Sequence, residues 1–321
     1  MQRKFYVISR TTVTKDIIGI FNEEKKKLKG HMKELSGRVC ITTDMWTLIQ
    51  NLGYMVLTAH FVDKDWKLQK KIINFRVLPH PHKGEAIAKA VENCLLEWGI
   101  EKVMTITLDN AKNNDSCITE LKKRLNKRNG LLLGGEFFHI RYFAHVINLV
   151  VRDGVNEVKR TIKRLRQSVK YVRSGPSRIQ PFKKCASDEN LTTKRALCLD
   201  VKIRWNLTYL MIDTAMEFEK AFDRLEEHDP NYKIECDVKG EGLLGDSDWR
   251  KLKALQTFLE EFYKLTKRVS SSKYVTSNTY FDELTQAKDL LIDNLTNDDV
   301  DFCEMAMKMD AKFDKYCNFD L

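Results

Sequence analysis

Two carboxylates stand out in this 321-residue sequence as groups whose setting suggests chemistry. Asp44 ends the apolar part of Val39-Cys40-Ile41-Thr42-Thr43-Asp44-Met45-Trp46, and Asp109 does the same in Val103-Met104-Thr105-Ile106-Thr107-Leu108-Asp109-Asn110. Both runs are rich in β-branched residues, the pattern of a core strand that delivers an acid to its own C-terminal edge. Two acids so placed can share a metal ion. Read alone, each run favours an aspartate that only caps a strand end in a turn.

The elements that must position these acids follow from periodicity. Residues 38–46, 54–62 and 67–77 alternate or run apolar over strand length, separated by Gln50-Asn51-Leu52-Gly53 and Asp63-Lys64-Asp65, and so predict an antiparallel meander. Pro79-His80-Pro81-His82 breaks the chain, and residues 83–98 are helical, with Gly99 closing the helix. A fourth strand spans 103–109, a second helix 115–125 and a fifth strand 137–143. This β-β-β-α-β-α order, with an acid at the end of strands one and four, is the ribonuclease H-like arrangement. A helix over residues 14–34 precedes it, and its Lys25-Lys26-Lys27 reads as a solvated face or a weak import signal.

The rest of the chain reads as helical. Val155, Val158, Ile162, Leu165, Val169 and Val172 fall on one stripe, with Ser174-Gly175-Pro176 as the stop. Further helices are expected over 206–227, ended by Asp229-Pro230-Asn231, and over 248–269, 277–295 and 298–318, with a loop at 240–245. The expected organisation is a helical lead-in (1–37), a partial ribonuclease H-like core (38–153) and an all-helical insertion domain (154–321). The fold class is α/β, a mixed five-stranded sheet with helices followed by a helical subdomain.

Charge is unevenly placed. Of a net +10, the stretch from Lys112 to Lys184 carries 18 Lys/Arg against 5 Asp/Glu, whereas Phe281 to Leu321 carries 4 against 11. Positive potential therefore belongs to one region, where a polyanion would find it. Lys159, Arg160, Lys163, Arg164, Arg166, Lys170 and Arg173 surround the apolar stripe. A solvated helix face usually explains such a pattern, but acids are nearly absent here, so phosphate contact is the favoured reading. The eight cysteines have no CxxC spacing, which points to buried free thiols rather than zinc or disulfides. The first residues lack an apolar signal-peptide core, and no run has the ~20 apolar residues of a membrane span. A soluble intracellular protein without a membrane partner is expected.

Several ordered motifs carry a resemblance. Ile41-Thr42-Thr43-Asp44-Met45-Trp46, Gln50-Asn51-Leu52-Gly53-Tyr54, Leu95-Leu96-Glu97-Trp98-Gly99-Ile100, Thr107-Leu108-Asp109-Asn110, Ala144-His145-Val146-Ile147-Asn148-Leu149 and Arg204-Trp205-Asn206-Leu207-Thr208-Tyr209 together resemble the hAT superfamily of DNA transposases. The likeness spans nearly the whole chain and is strongest to the plant domesticated group called RICESLEEPER or DAYSLEEPER.

The resemblance implies a ribonuclease H-like core interrupted by a helical insertion. It matches Asp44 and Asp109 to the first two acids of a catalytic Asp, Asp, Glu triad, with Mg²⁺ as the cofactor of phosphoryl transfer. The family's Glu lies in a C-terminal Ser-x-x-x-Glu-x-x-Phe-Ser segment that this sequence does not contain. Glu217 and Glu219 do not match it, and two carboxylates alone would hold Mg²⁺ weakly. The family's BED zinc finger is likewise not found.

Of the family's Cys-x-x-His pair, His145 is kept and Tyr142 replaces the cysteine; His145 reads as a core histidine or as part of the DNA contact. Trp205 with Arg204 matches a tryptophan thought to stack on a base, against the alternative of a core residue. The expectation is a nuclear, transposase-derived DNA-binding protein, with DNA as partner and without transposition. The alternative is a Mg²⁺-dependent cleaving core completed by the Glu of a full-length relative in a hetero-oligomer.

Overall fold

β-branched residues at alternating positions build a five-stranded sheet in the order β3-β2-β1-β4-β5. The strands are β1 (Val39–Thr47), β2 (Gly53–Val62), β3 (Leu68–Val77), β4 (Val103–Leu108) and β5 (His139–Arg141). β1, β2 and β3 pair antiparallel, while β4 is parallel to both β1 and β5. The computed structural model describes residues 8–35, 37–78, 83–238, 242–270 and 278–317.

A parallel neighbour requires a crossover, and helices supply it. α1 (Arg10–Lys33) precedes the sheet, α2 (Gly84–Trp98) leads from β3 to β4, and α3 (Lys112–Asn126) leads from β4 toward β5 through a 3₁₀ turn, Leu132–Gly135. One sheet face is the core: Ile41, Met55, Leu57 and Ile106 are buried with Ile87, Val91 and Cys94 of α2 and Leu121 of α3. The other face carries Thr42, Asp44 and Trp46. At β3 the register shifts, so that Asn74 pairs with Leu57 and Ile72 with Thr58, leaving Ile73 as an extra residue. Trp98 Nε1 donates to the Ile73 carbonyl at 2.7 Å, which satisfies a buried acceptor at this bulge.

The chain divides into two compact units, Met1–Tyr142 and Phe143–Leu321. The second is helical throughout its described elements: α4 (Phe143–Val155), α5 (Lys159–Arg173), α6 (Pro176–Asp188), α7 (Trp205–Met216), α8 (Glu219–His228), α9 (Pro230–Val238), α10 (Asp246–Val269), α11 (Tyr280–Asn294) and α12 (Val300–Cys317). The division falls after Tyr142 rather than after residue 153, because Val146, Ile147, Val150 and Val151 of α4 bury into the helical core.

Several expected elements differ. The fifth strand is only His139–Arg141, and the single helix expected over 206–227 is broken at Glu217 and Phe218 into α7 and α8. Helices α6 and α9 were not foreseen. Both begin on a proline, which reads as a stop in sequence but suits the first position of a helix, where its missing N–H is not needed. The break at 79–82, part of the 240–245 loop and the expected start of α11 at 277 lie outside the described residues.

Cys94, Cys117, Cys185 and Cys236 are buried, and all eight cysteines are free thiols. Among the described residues, no helix is long and apolar enough to cross a membrane.

Candidate functional site

Parallel pairing of β1 with β4 aligns Ile41 with Ile106 and Thr42 with Thr107. Carrying that register two residues further sets Asp44 beside Asp109, on neighbouring strands that lie ~4.8 Å apart in a sheet. Both side chains then share the face opposite the core, because side chains alternate along each strand. Asp44 is exposed and Asp109 half-buried. The register thus puts the two acids at neighbouring positions, Asp44 on β1 and Asp109 just past the end of β4.

Their hydrogen bonds are one-sided. Asp44 Oδ1 accepts from its neighbour's backbone, Met45 N, at 2.9 Å. Asp109 Oδ1 accepts from Ala111 N at 3.1 Å and from Asn114 Nδ2, which also donates to the Asp109 carbonyl at 3.1 Å. Among the described residues, neither Oδ2 has a donor. Each carboxylate therefore has one oxygen fixed by the protein and one uncommitted.

Asn114 is the residue that sequence reading missed. It lies in the first turn of α3, is 2% exposed, and its Oδ1 is buried without a hydrogen-bond partner. Its orientation is determined, since Nδ2 faces two acceptors and a flipped amide would point oxygen at oxygen. An unsatisfied buried carbonyl of this kind costs about 1–3 kcal/mol. The signal available in sequence was the asparagine-rich run Asn110-Ala111-Lys112-Asn113-Asn114 directly after the acid. Arg141 Nη1 adds a bond to Asn110 Oδ1 at 3.0 Å, tying the end of β5 to the same loop.

Carboxylate and amide oxygens form an all-oxygen donor set, the chemistry that suits Mg²⁺ rather than zinc. Asn114 Oδ1, buried without a partner, belongs to the same amide whose Nδ2 holds Asp109. Among the described residues, no group of three or more His, Cys, Asp or Glu side chains converges on a possible metal position.

The same face has an aromatic border. Trp46, two residues beyond Asp44, stacks on Tyr54 at 5.9 Å between ring centroids, and Tyr54 stacks on Phe75 at 5.5 Å. Across the sheet from these, Thr42 Oγ1 and His60 Nε2 are 3.1 Å apart. Burial, with Lys70 nearby, lowers the pKa of His60 and favours its neutral form.

The remaining expected site residues belong to the helical unit. Lys159, Arg160, Lys163, Lys170 and Arg173 are exposed on α5. Arg164 and Arg166 are half-buried and make internal ion pairs. Arg164 Nη1 reaches Asp248 Oδ2 at 2.7 Å, and Asp248 also accepts from Thr161. Arg166 grips Asp200 through Nε and Nη2, both at 2.7 Å, and Thr208 Oγ1 adds a bond at 2.8 Å. Burial alone would raise the Asp200 pKa, but Arg166 and Thr208 hold it below the usual carboxylate value.

Trp205 follows the core alternative of its two readings in its burial. It is 3% exposed within the helical core, so in this conformation its ring offers no face to a base. Arg204 precedes it and is exposed, and His145 is half-buried on α4.

Residues 42–137 match the family model of the ZBED1 RNase-like domain, and residues 140–258 match that of the ZBED1 RNase-like helical domain. Among curated relatives, the zinc finger BED domain-containing protein RICESLEEPER 2 of Oryza sativa subsp. japonica is 31% identical over 326 residues, covering 100% of this chain and 44% of the relative. The putative AC transposase of Zea mays is 34% identical over 315 residues, covering 97% and 38%. The zinc finger BED domain-containing protein DAYSLEEPER of Arabidopsis thaliana is 30% identical over 317 residues, covering 98% and 44%. The chain thus spans less than half the length of these relatives.

Proposed function

Because this chain belongs to the family of plant hAT-type, transposase-derived proteins, we propose that it binds DNA through the basic edge of its helical unit, in the nucleus, without transposition activity from these residues alone. The exposed edge of α5 carries the reading. Lys159, Lys170 and Arg173 recur at helical spacing along one edge of the apolar stripe of Ile162, Leu165, Val169 and Val172, and Lys163 and Arg160 lie farther round the exposed side. No acidic residue lies within the helix itself, and Lys159, Arg160, Lys170 and Arg173 stand on it as exposed cations that suit a polyanion. Lysine and arginine contacts of this kind neutralise phosphates and make affinity fall steeply with salt.

A gel-shift titration with duplex DNA at increasing salt tests this. Affinity that weakens linearly in log–log form is the expected result; binding absent at low salt, or indifferent to salt, would remove the proposal.

The aligned carboxylates favour a second reading, a Mg²⁺-dependent DNA-cleaving core. Asp44 and Asp109 would hold the ion through their uncommitted oxygens. When bound, Mg²⁺ supplies activation of a water or 3′-hydroxyl and stabilises the leaving oxygen. This chain's own part is to fix the two carboxylates at adjacent strand ends, while a further carboxylate would come from a full-length relative. Cleavage of duplex DNA on mixing with such a relative, abolished by Asp44→Ala, would establish the reading. Cleavage insensitive to that substitution would exclude it.

A further inference from the structure

We infer that Asn114 is a positioning residue of the metal site, holding Asp109 with its amide nitrogen and accepting a hydrogen bond from a metal-bound water with its amide oxygen. This inference rests on the reading of Asp44 and Asp109 as a Mg²⁺ position, and it concerns a residue that is neither acid nor nucleophile.

Three observations lead to it. First, Asn114 Nδ2 donates both to the Asp109 carbonyl and to Oδ1, so one side chain fixes the backbone and the carboxylate of the same residue. With Ala111 N on the same Oδ1, the carboxylate rotation is set and Oδ2 is the oxygen left for an ion. Second, Asn114 is itself held: its N–H bonds to the Ala111 carbonyl at 2.8 Å, at the start of α3, and the residue is 2% exposed. A side chain anchored this way loses little freedom when the site is used. Third, Asn114 Oδ1 is buried and orphaned, and the two acceptors facing Nδ2 forbid the flip that would relieve it.

Buried polar atoms are nearly always paired, and this orphan is the oxygen of the very amide that holds Asp109, an acceptor suited to the hydration shell of an ion held there. Mg²⁺ keeps several waters when only one or two carboxylates bind it, and those waters need acceptors. A purely structural asparagine explains the nitrogen but leaves the oxygen unexplained.

The test uses the whole chain. Mn²⁺, read by electron paramagnetic resonance of the free ion, is titrated into the wild type and the Asn114→Ala, Asp44→Asn and Asp109→Asn variants, each checked for folding in EDTA. Loss of a partner that orients a metal ligand weakens affinity ~10–100-fold. The expected result is weakening in that range for Asn114→Ala and loss of binding for both aspartate variants. In the wild type, ¹⁵N-labelled at asparagine side chains, Mg²⁺ is expected to shift the Asn114 NH₂ resonances; this readout needs no variant to fold.

Binding abolished by Asp109→Asn but unchanged by Asn114→Ala, or Asn114 resonances that ignore bound Mg²⁺, overturns the role of Asn114 alone. A wild type that does not bind Mn²⁺, or one matched by both aspartate variants, overturns the carboxylate site itself.

Discussion

Arg166 on α5 and Asp200, on the segment before α7, meet in a two-point ion pair in which the carboxylate is fully buried and the guanidinium is four-fifths buried. Thr208 completes the shell of Asp200 from α7. Removing one member leaves the other uncompensated. Asp200→Ala is therefore expected to destabilise the helical unit by about 3–5 kcal/mol, while replacing both partners with apolar residues of similar size costs less. Urea unfolding followed by circular dichroism measures both. A double variant that loses as much as the Asp200 and Arg166 single variants added together would show that the pair is not coupled.

The same pair sets a pH dependence. Asp200 and Asp248 both titrate below the ordinary carboxylate value: burial opposes this, but Arg166 and Thr208 outweigh it at Asp200, and the Gly245 N–H, Thr161 and Arg164 outweigh it at Asp248. A carboxylate with a depressed folded pKa contributes stability above its unfolded value of ~3.9 and loses it as pH falls through the folded value. Stability is thus expected to hold on descending to about pH 4 and to decline below it. In Asp200→Asn the decline should be shallower than in the wild type. An identical acid profile for the two proteins would assign the dependence to other groups.

These pairs mark how far sequence reading reaches. The strands that carry Asp44 and Asp109 were legible because their alternation is local, and so was their topology, since three short-linked strands followed by a helix and a strand leave few arrangements. The assignment of individual cations was not. Arg164 and Arg166 look like Lys159 and Lys170 in a helical pattern; what buries them is a carboxylate 84 or 34 residues away. Trp205 had two readings for the same reason, and its burial is decided by helices distant in sequence. Asn114 escaped notice because its role depends on the turn into α3 bringing a side chain back onto Asp109, five residues earlier.

Separating structural from surface cations gives a prediction for DNA binding. Lys159, Lys170 and Arg173 are exposed, so their replacement by glutamine should leave the fold intact while removing phosphate contacts. Each lost contact is expected to flatten the dependence of log affinity on log salt by ~0.9. The triple variant should therefore lose up to roughly three from the slope. Arg166→Gln should instead lower stability with little change in slope. Gel shifts over a salt series, paired with thermal unfolding, distinguish the two; an unchanged slope in the triple variant would move the DNA contact away from α5.

Two glycines test the packing at close range, and they should differ. A methyl group at Gly84 would stand 2.0 Å from Ser116 Oγ and 2.6 Å from the Cys117 backbone nitrogen, at the crossing of α2 and α3. At Gly154 it would stand 2.3 Å from Met309 Cγ, where α4 crosses α12. In an unconstrained helix, glycine to alanine is favourable by up to about 1 kcal/mol, so any loss reports the contact. A backbone atom cannot yield without moving α3, whereas an unbranched methionine can change rotamer. Overpacking typically costs about 1–3 kcal/mol. Gly84→Ala is expected at or above the top of that range and Gly154→Ala near the bottom, read as shifts in urea midpoint. Because α3 also carries Asn114, Gly84→Ala should weaken Mn²⁺ binding as well, whereas Gly154→Ala, in the other unit, should leave it unchanged. A Gly84→Ala protein with wild-type stability would show that α2 and α3 are not packed as closely as their backbones are placed here.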